Sequence, residues 1–255
     1  VLGGLAIVAL VLLVPVTINA YNTNQLVDSP LKAFAGFMEM QAENNPGDTP
    51  PRLLLSNQAT YRQVYPHLND TFDLQLTDGP SREFPEAPST TDLIRGQSLV
   101  WILPTGVQNQ ALANTVAQRG TQLAAYNFDG IGTASLYSFE ANPRPFIPLA
   151  RFIGGVELLG YQANVDDGVN VTLYWRATSP QNQNLTVFTQ VLNDAGELVS
   201  SHDSIPNSGK SPVTEWPVGA VQVDTHHIEI PSDLAPGDYT LVIGLYNDTN
   251  ERIRG

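Results

Sequence analysis

The chain has 255 residues, 42% of them hydrophobic and 15% charged, with 12 basic against 25 acidic side chains and no cysteine. That length accommodates two modest domains, each with a core of its own, and excludes a wholly disordered chain. A formal charge of −13 with lysine only at Lys32 and Lys210 leaves no cationic stripe for nucleic acid or anionic headgroups; the absence of cysteine removes disulfides, thiolate nucleophiles, iron–sulfur clusters and thiolate zinc sites together.

Residues 1–18, VLGGLAIVALVLLVPVTI, carry no charge, and the first charged side chain after them is Asp28. At about 1.5 Å per residue a helix of that length spans roughly 27 Å, close to the hydrocarbon core of a bilayer. A cleaved signal would need a basic leading region and a small-x-small site, whereas this stretch offers only Ile18-Asn19-Ala20. The expectation is a transmembrane helix over 1–20, in a fragment whose upstream part is missing. Because so few cations follow it, everything after the span is placed outside the cytoplasm.

Residues 30–45 set Leu31, Phe34, Phe37 and Met38 at helical spacing and stop at Pro46-Gly47-Asp48. A buried strand is expected at 52–56, a helix at 58–65, a strand at 72–76 and a loop over 77–96. Ser98 to Pro104 reads as a strong strand, 108–119 as a helix ending at Gly120, and 123–128 and 133–139 as two further strands. Alternation of strand and helix predicts a small three-layer α/β domain over 30–140 with a largely parallel sheet.

Three prolines within ANPRPFIPLARF mark 141–150 as a linker. Beyond it, strand-like runs occur at 156–161, 169–176, 185–192, 198–202, 221–230 and 239–246, separated by turn signals such as Asp166-Asp167-Gly168 and Pro206-Asn207-Ser208-Gly209. In 169–176 the alternation puts Val169, Val171, Leu173 and Trp175 on one face and Asn170, Thr172, Tyr174 and Arg176 on the other. This pattern predicts an antiparallel β-sandwich over 151–255. The fold class expected for the chain is therefore α/β plus all-β, with an N-terminal transmembrane helix.

Chemistry-bearing motifs are sparse. The sequence contains no GxSxG, GxxxxGK[ST], HExxH or GxGxxG motif in the context each requires. His226 and His227 are adjacent on an expected strand and so point to opposite faces, which prevents them from chelating one metal. Asp166-Asp167-Gly168 lacks the spaced acids of an EF-hand and reads as a hairpin turn. Asp203 and Asp224 have no sequence feature fixing them as a glycosidase pair. Of the aromatic residues able to stack on a sugar, Tyr161, Tyr174, Trp175, Trp216 and Tyr246, alternation turns Trp175 inward; Trp216, between Glu215 and Pro217 in an expected loop, is the candidate ligand platform. Four Asn-x-Thr tripeptides begin at Asn69, Asn170, Asn184 and Asn247. No catalytic residue, metal ligand or cofactor is expected.

The segments GGVELLGYQ (154–162), VTLYWRA (171–177), TVFTQVLNDAGELVSSHDSIP (186–206), SPVTEWPVGAVQVDTHHIEIPSDLAPGDYTLVIGLYN (211–247) and NERI (250–253) together resemble the C-terminal β-domain of bacterial polytopic membrane glycosyltransferases. These belong to the protein-mannosyltransferase-like glycosyltransferase family 39. The resemblance covers the last hundred residues closely and 30–140 in layout alone. It implies a parent enzyme that takes sugar from a polyprenyl-phosphate donor and whose catalytic acid lies upstream of this chain, so no catalytic residue is carried over. It also implies a membrane partner through residues 1–18, a glycan or acceptor protein as partner of the β-domain, and truncation at both ends. Two other classes are compatible with the same residues: a single-span surface-anchored carbohydrate-binding or adhesion protein, and a structural subunit of a membrane complex.

Overall fold

The computed structural model describes residues 14–17, 30–43, 50–77, 88–106, 109–141, 143, 147–249 and 251–254. The chain is mixed α/β, with most of its elements strands distributed over several sheets, and it divides into two compact units. One is Leu26–Ile147; the other combines Val1–Gln25 with Pro148–Gly255.

In the first unit the order is α1 (Pro30–Glu43), β2 (Arg52–Leu55), α2 (Gln58–Leu68), β3 (Asp73–Leu76), α3 (Thr90–Ile94), β4 (Leu99–Leu103), α4 (Asn109–Ala117), β5 (Thr121–Phe128) and β6 (Gly132–Ser138); the strand β1 (Val14–Thr17) precedes them and belongs to the second unit. The five strands lie in the order β3-β2-β4-β6-β5. β2 runs parallel to both β3 and β4, while β4–β6 and β5–β6 are antiparallel. The sheet is therefore mixed rather than largely parallel. The turn between β5 and β6 is too short for the crossover that parallel strands need, and Gly130 at φ 70 closes it as a hairpin.

Alternation along β4 separates Val100 and Ile102 from Trp101 and Leu103. Val100 and Ile102 cluster with Leu54, with Leu93 and Ile94 of α3, and with Leu112 and Val116 of α4. Trp101 instead meets Tyr126, which packs edge-on against Phe37 of α1, and Phe34 packs against Phe128. The apolar stripe read from 30–45 is what α1 buries, with Phe34, Phe37 and Met38 all at 0% exposure. α2 outlasts its expected end at Tyr65. Pro66 sits in the last turns, where its missing N–H removes one helical bond, and Leu68 is fully buried one residue short of the cap. α3 falls in the stretch read as loop; Ser89 accepts from the Asp92 N–H and donates to its carboxylate, a cap that holds five helical residues. Residues 78–87 of that expected loop lie outside the described residues.

In the second unit β7 (Ala150–Phe152), β8 (Val156–Val165), β9 (Val169–Ala177), β10 (Leu185–Leu192), β11 (Leu198–Ser204), β12 (Val221–Ile228) and β13 (Asp238–Asn247) follow in chain order, with a 3-10 turn at Val213–Glu215. With β1 they form two four-stranded sheets, ordered β1-β13-β10-β11 and β12-β9-β8-β7, antiparallel throughout. One hydrophobic cluster draws on both: Val169, Val171, Leu173 and Trp175 of β9 share it with Val187 of β10 and Leu241, Ile243 and Leu245 of β13. The four inward residues read from the β9 alternation are thus all in that core. Ala150 and Phe152 join it as well, so the expected linker contributes a strand; its residues 142 and 144–146 lie outside the described residues.

The helix expected over residues 1–20 is not formed by its described part. Val14–Thr17 are strand, paired antiparallel with β13 from Val14↔Leu241 to Thr17↔Asp238. Pro15 fits this placement, since β1 ends its sheet and an edge strand tolerates a residue without an N–H. Residues 1–13 and 18–20 lie outside the described residues, and among those described no helix is long and apolar enough to cross a membrane.

Candidate functional site

A buried polar cluster lies where β11 and β12, the last strands of the two sheets of the second unit, run beside one another. Period-2 alternation on β12 puts Asp224, His226 and Ile228 inward, at 0%, 2% and 0% exposure, and leaves His227 exposed. The Asp224 carboxylate accepts from two sides: the Asn207 N–H reaches Oδ1 at 2.7 Å, and His226 Nε2 lies 2.8 Å from Oδ2. His226 Nδ1 is 2.9 Å from Nδ1 of His202 on β11. The turn that presents Asn207 is left-handed over three residues, with φ 54 at Asn207, 54 at Ser208 and 84 at Gly209. Asn tolerates this region and Gly favours it, which accounts for the Asn-Ser-Gly sequence there.

Asp224 fixes the donor of its neighbour. A carboxylate accepts, so His226 Nε2 carries a proton, and one further proton lies between the two facing Nδ1 atoms. His202 is half-buried, and its pKa falls below the usual 6.5, first because burial disfavours the imidazolium and then because His226 lies beside it; Asp203 and Asp224 oppose the shift and His227 adds to it. Ser204, two residues along the same face of β11, has a buried Oγ without a hydrogen-bond partner. The arrangement is a hydrogen-bonded chain, Asp224 to His226 to His202, with no hydroxyl attached to it as a nucleophile.

No family model, no curated protein and no solved structure matches this chain.

The other residues singled out from the sequence are dispersed. Trp216 is 5% exposed and belongs to the hydrophobic cluster; its Nε1 donates to the Ser211 carbonyl at 2.9 Å. Its ring is core and does not serve as an exposed platform. Asp203 pairs with Phe188 on β10 while His202 pairs with Thr189, so Asp203 faces away from Asp224; its carboxylate takes Tyr246 Oη at 3.4 Å. His227 donates from Nδ1 to Asn170 Oδ1 on the face opposite His226, as adjacency on a strand requires. Asp166-Asp167-Gly168 forms the turn between β8 and β9, closed by the Asp166 N–H on the Gly168 carbonyl. No group of three metal-ligating side chains occurs among the described residues.

In the first unit, the carboxyl ends of β2 and β4 flank the point where strand order reverses, the usual position for a ligand crevice in an open α/β sheet. Here the polar groups bond one another. Ser56 Oγ donates to the Thr105 carbonyl and accepts from its N–H, the Thr60 and Thr105 hydroxyls are 2.7 Å apart, and Asn57 caps α2 through the N–H groups of Ala59 and Thr60.

His202 is the site residue that sequence reading missed. It lies 24 positions from His226, on a strand of the other sheet, and no spacing rule connects the two.

Proposed function

We propose that this chain is the non-catalytic, extracytoplasmic C-terminal part of a membrane glycosyltransferase that draws sugar from a polyprenyl-phosphate carrier. In this reading residues 30–140 form a three-layer α/β unit, residues 151–255 a β-sandwich, and the sandwich holds acceptor glycan or protein near the membrane face. The observation that carries it is positional. The segments bearing the resemblance to glycosyltransferase family 39 coincide with β8 to β13, and the strands of both sheets contribute to one hydrophobic cluster. Such a shared core between two antiparallel sheets is the physical basis of a sandwich.

The uncharged run at the start of the chain supports the membrane assignment, with a shorter reach than its composition implies. With Val14–Thr17 in β1, thirteen uncharged residues precede the strand.

The test uses membranes carrying the protein in its native gene context, supplied with a panel of polyprenyl-phosphate hexoses. Sugar transfer is measured for the complete protein and for a version lacking residues 148–255. The expected result is transfer by both at saturating acceptor, with the acceptor KM at least about tenfold higher in the shortened version, the binding loss equivalent to one 1.4 kcal/mol step. A complete protein that transfers no sugar from any of these donors removes the reading.

A further inference from the structure

We propose that the His202–His226 contact is an acid-released latch that holds the edge strands β11 and β12 together.

β11 and β12 belong to different sheets, so no backbone ladder joins them. Among the described residues three polar contacts follow one another along the seam, Ser200 Oγ donating to the Glu229 carbonyl, His202 facing His226 and the Asn207 N–H meeting Asp224; Ser211 Oγ donates to Gln222 Oε1 beyond them, and Val199 and Ile228 add apolar packing. The histidine pair is the middle one and the one that changes charge near neutrality.

Proton accounting defines the release. With His226 Nε2 committed to Asp224, the neutral pair keeps one proton between its Nδ1 atoms and a lone pair on His202 Nε2. A first added proton enters without breaking the contact, because an imidazolium still donates to the facing imidazole, and the Asp224 carboxylate balances the charge. A second places an N–H on both facing nitrogens. Two donors and two positive charges then oppose each other at 2.9 Å, and the rings must part. The charged groups acting on His202 are His226, Asp203, Asp224 and His227; β10 presents Thr189, whose hydroxyl donates to the His202 carbonyl and carries no charge.

The sign follows from linkage. Closure sets the second facing Nδ1 proton against the first at 2.9 Å, which lowers the affinity of the pair for that last proton, and burial beside His226 holds His202 below its ordinary 6.5. The open state therefore binds more protons below that value. The latch holds fully above about pH 6.5 and weakens as pH falls toward the depressed value of the closed state, by up to about tenfold in the opening equilibrium per pH unit. This mechanism is independent of the membrane reading above, since it involves residues of one unit alone.

The test is amide hydrogen exchange on the whole chain between pH 5 and 8, corrected for intrinsic exchange. Expected are seam opening in β11 and β12 that rises up to about tenfold per unit below pH 6.5, an unchanged β8–β9 hairpin, and a flat profile in His202→Gln, whose amide donates to His226 Nδ1 without titrating. A wild-type seam indifferent to pH, or a His202→Gln seam with the full pH response, overturns the latch. Should the variant not fold, ¹⁵N titration of the histidines in the wild-type chain decides: one of the His202–His226 pair resisting its last proton to well below pH 6.5 supports the latch, and both titrating as free imidazoles refutes it.

Discussion

Trp216→Ala distinguishes a core tryptophan from a ligand platform. The ring is 5% exposed, lies in the cluster shared by the two sheets, and donates from Nε1 to the Ser211 carbonyl and hydroxyl. Truncating a buried aromatic to alanine costs about 3–5 kcal/mol, combining lost transfer free energy with the cavity left behind. The lost hydrogen bond adds little, because Ser211 is half-buried and water can replace the indole. A total near 4 kcal/mol, divided by an m-value of about 2 kcal/mol/M, lowers the urea midpoint by roughly 2 M. Near-UV circular dichroism together with amide exchange in β9 and β13 reads this unit separately from residues 26–147. Trp216→Phe, which keeps a ring but loses the N–H and part of the volume, is expected to lose about half as much. A Trp216→Ala chain whose midpoint moves by less than about 0.3 M while glycan binding disappears would refute the core assignment.

Gly244→Ala is expected to destabilise the second unit by about 1–3 kcal/mol, measured by urea unfolding, because a Cβ there overlaps Cζ of Phe188 and lies 2.6 Å from Cε1. The Phe188 ring has little room to yield, being stacked on Tyr246 and covered by the Arg252 guanidinium; adding Phe188→Ala removes the clash and makes the pair non-additive. Glu157→Ala removes a largely buried carboxylate that accepts from the mostly buried Arg176 and the exposed Arg151, and is expected to cost the second unit about 2 kcal/mol in urea unfolding; Arg95→Ala, which breaks the exposed pair with Asp92, is expected to change the stability of the first unit by less than about 0.5 kcal/mol. Asn57→Ala deletes two capping bonds at the start of α2 and is expected to cost about 1 kcal/mol, seen as faster amide exchange confined to that helix.

Local patterns were the readable part of this sequence. The β9 alternation located four core residues because a strand with one buried face must alternate, and the stripe on α1 was readable for the corresponding reason at helical period. Adjacency alone sent His226 and His227 to opposite faces. What composition could not separate was an uncharged apolar run forming a membrane helix from one contributing a sheet strand, since both need the same residues; Pro15 was the one local signal against a helix interior. The burial of Trp216 is not legible locally, because its neighbours Glu215 and Pro217 are loop-like while the short turn Val213–Glu215 folds the indole back into the core. The histidine chain was invisible for a topological reason: it joins edge strands of different sheets, and their proximity arises from tertiary packing. In the first unit, Asp129-Gly130 was a hairpin signal that makes β5 and β6 antiparallel, and overlooking it produced the expectation of a parallel sheet.

The pairing of β1 with β13 also sets an order of events during synthesis. A strand ending at Thr17 finds its partner only when Asp238 to Leu241 have been made, and all of Leu26–Ile147 lies between them. At about 5–20 residues per second the ribosome takes roughly 10–45 s to close that interval. The intervening unit emerges whole in the meantime and is free to fold first, while the uncharged leading segment waits unpaired. During that wait Val14–Thr17 have no strand partner, and shortening the chain past Thr17 would leave β13 as an open sheet edge.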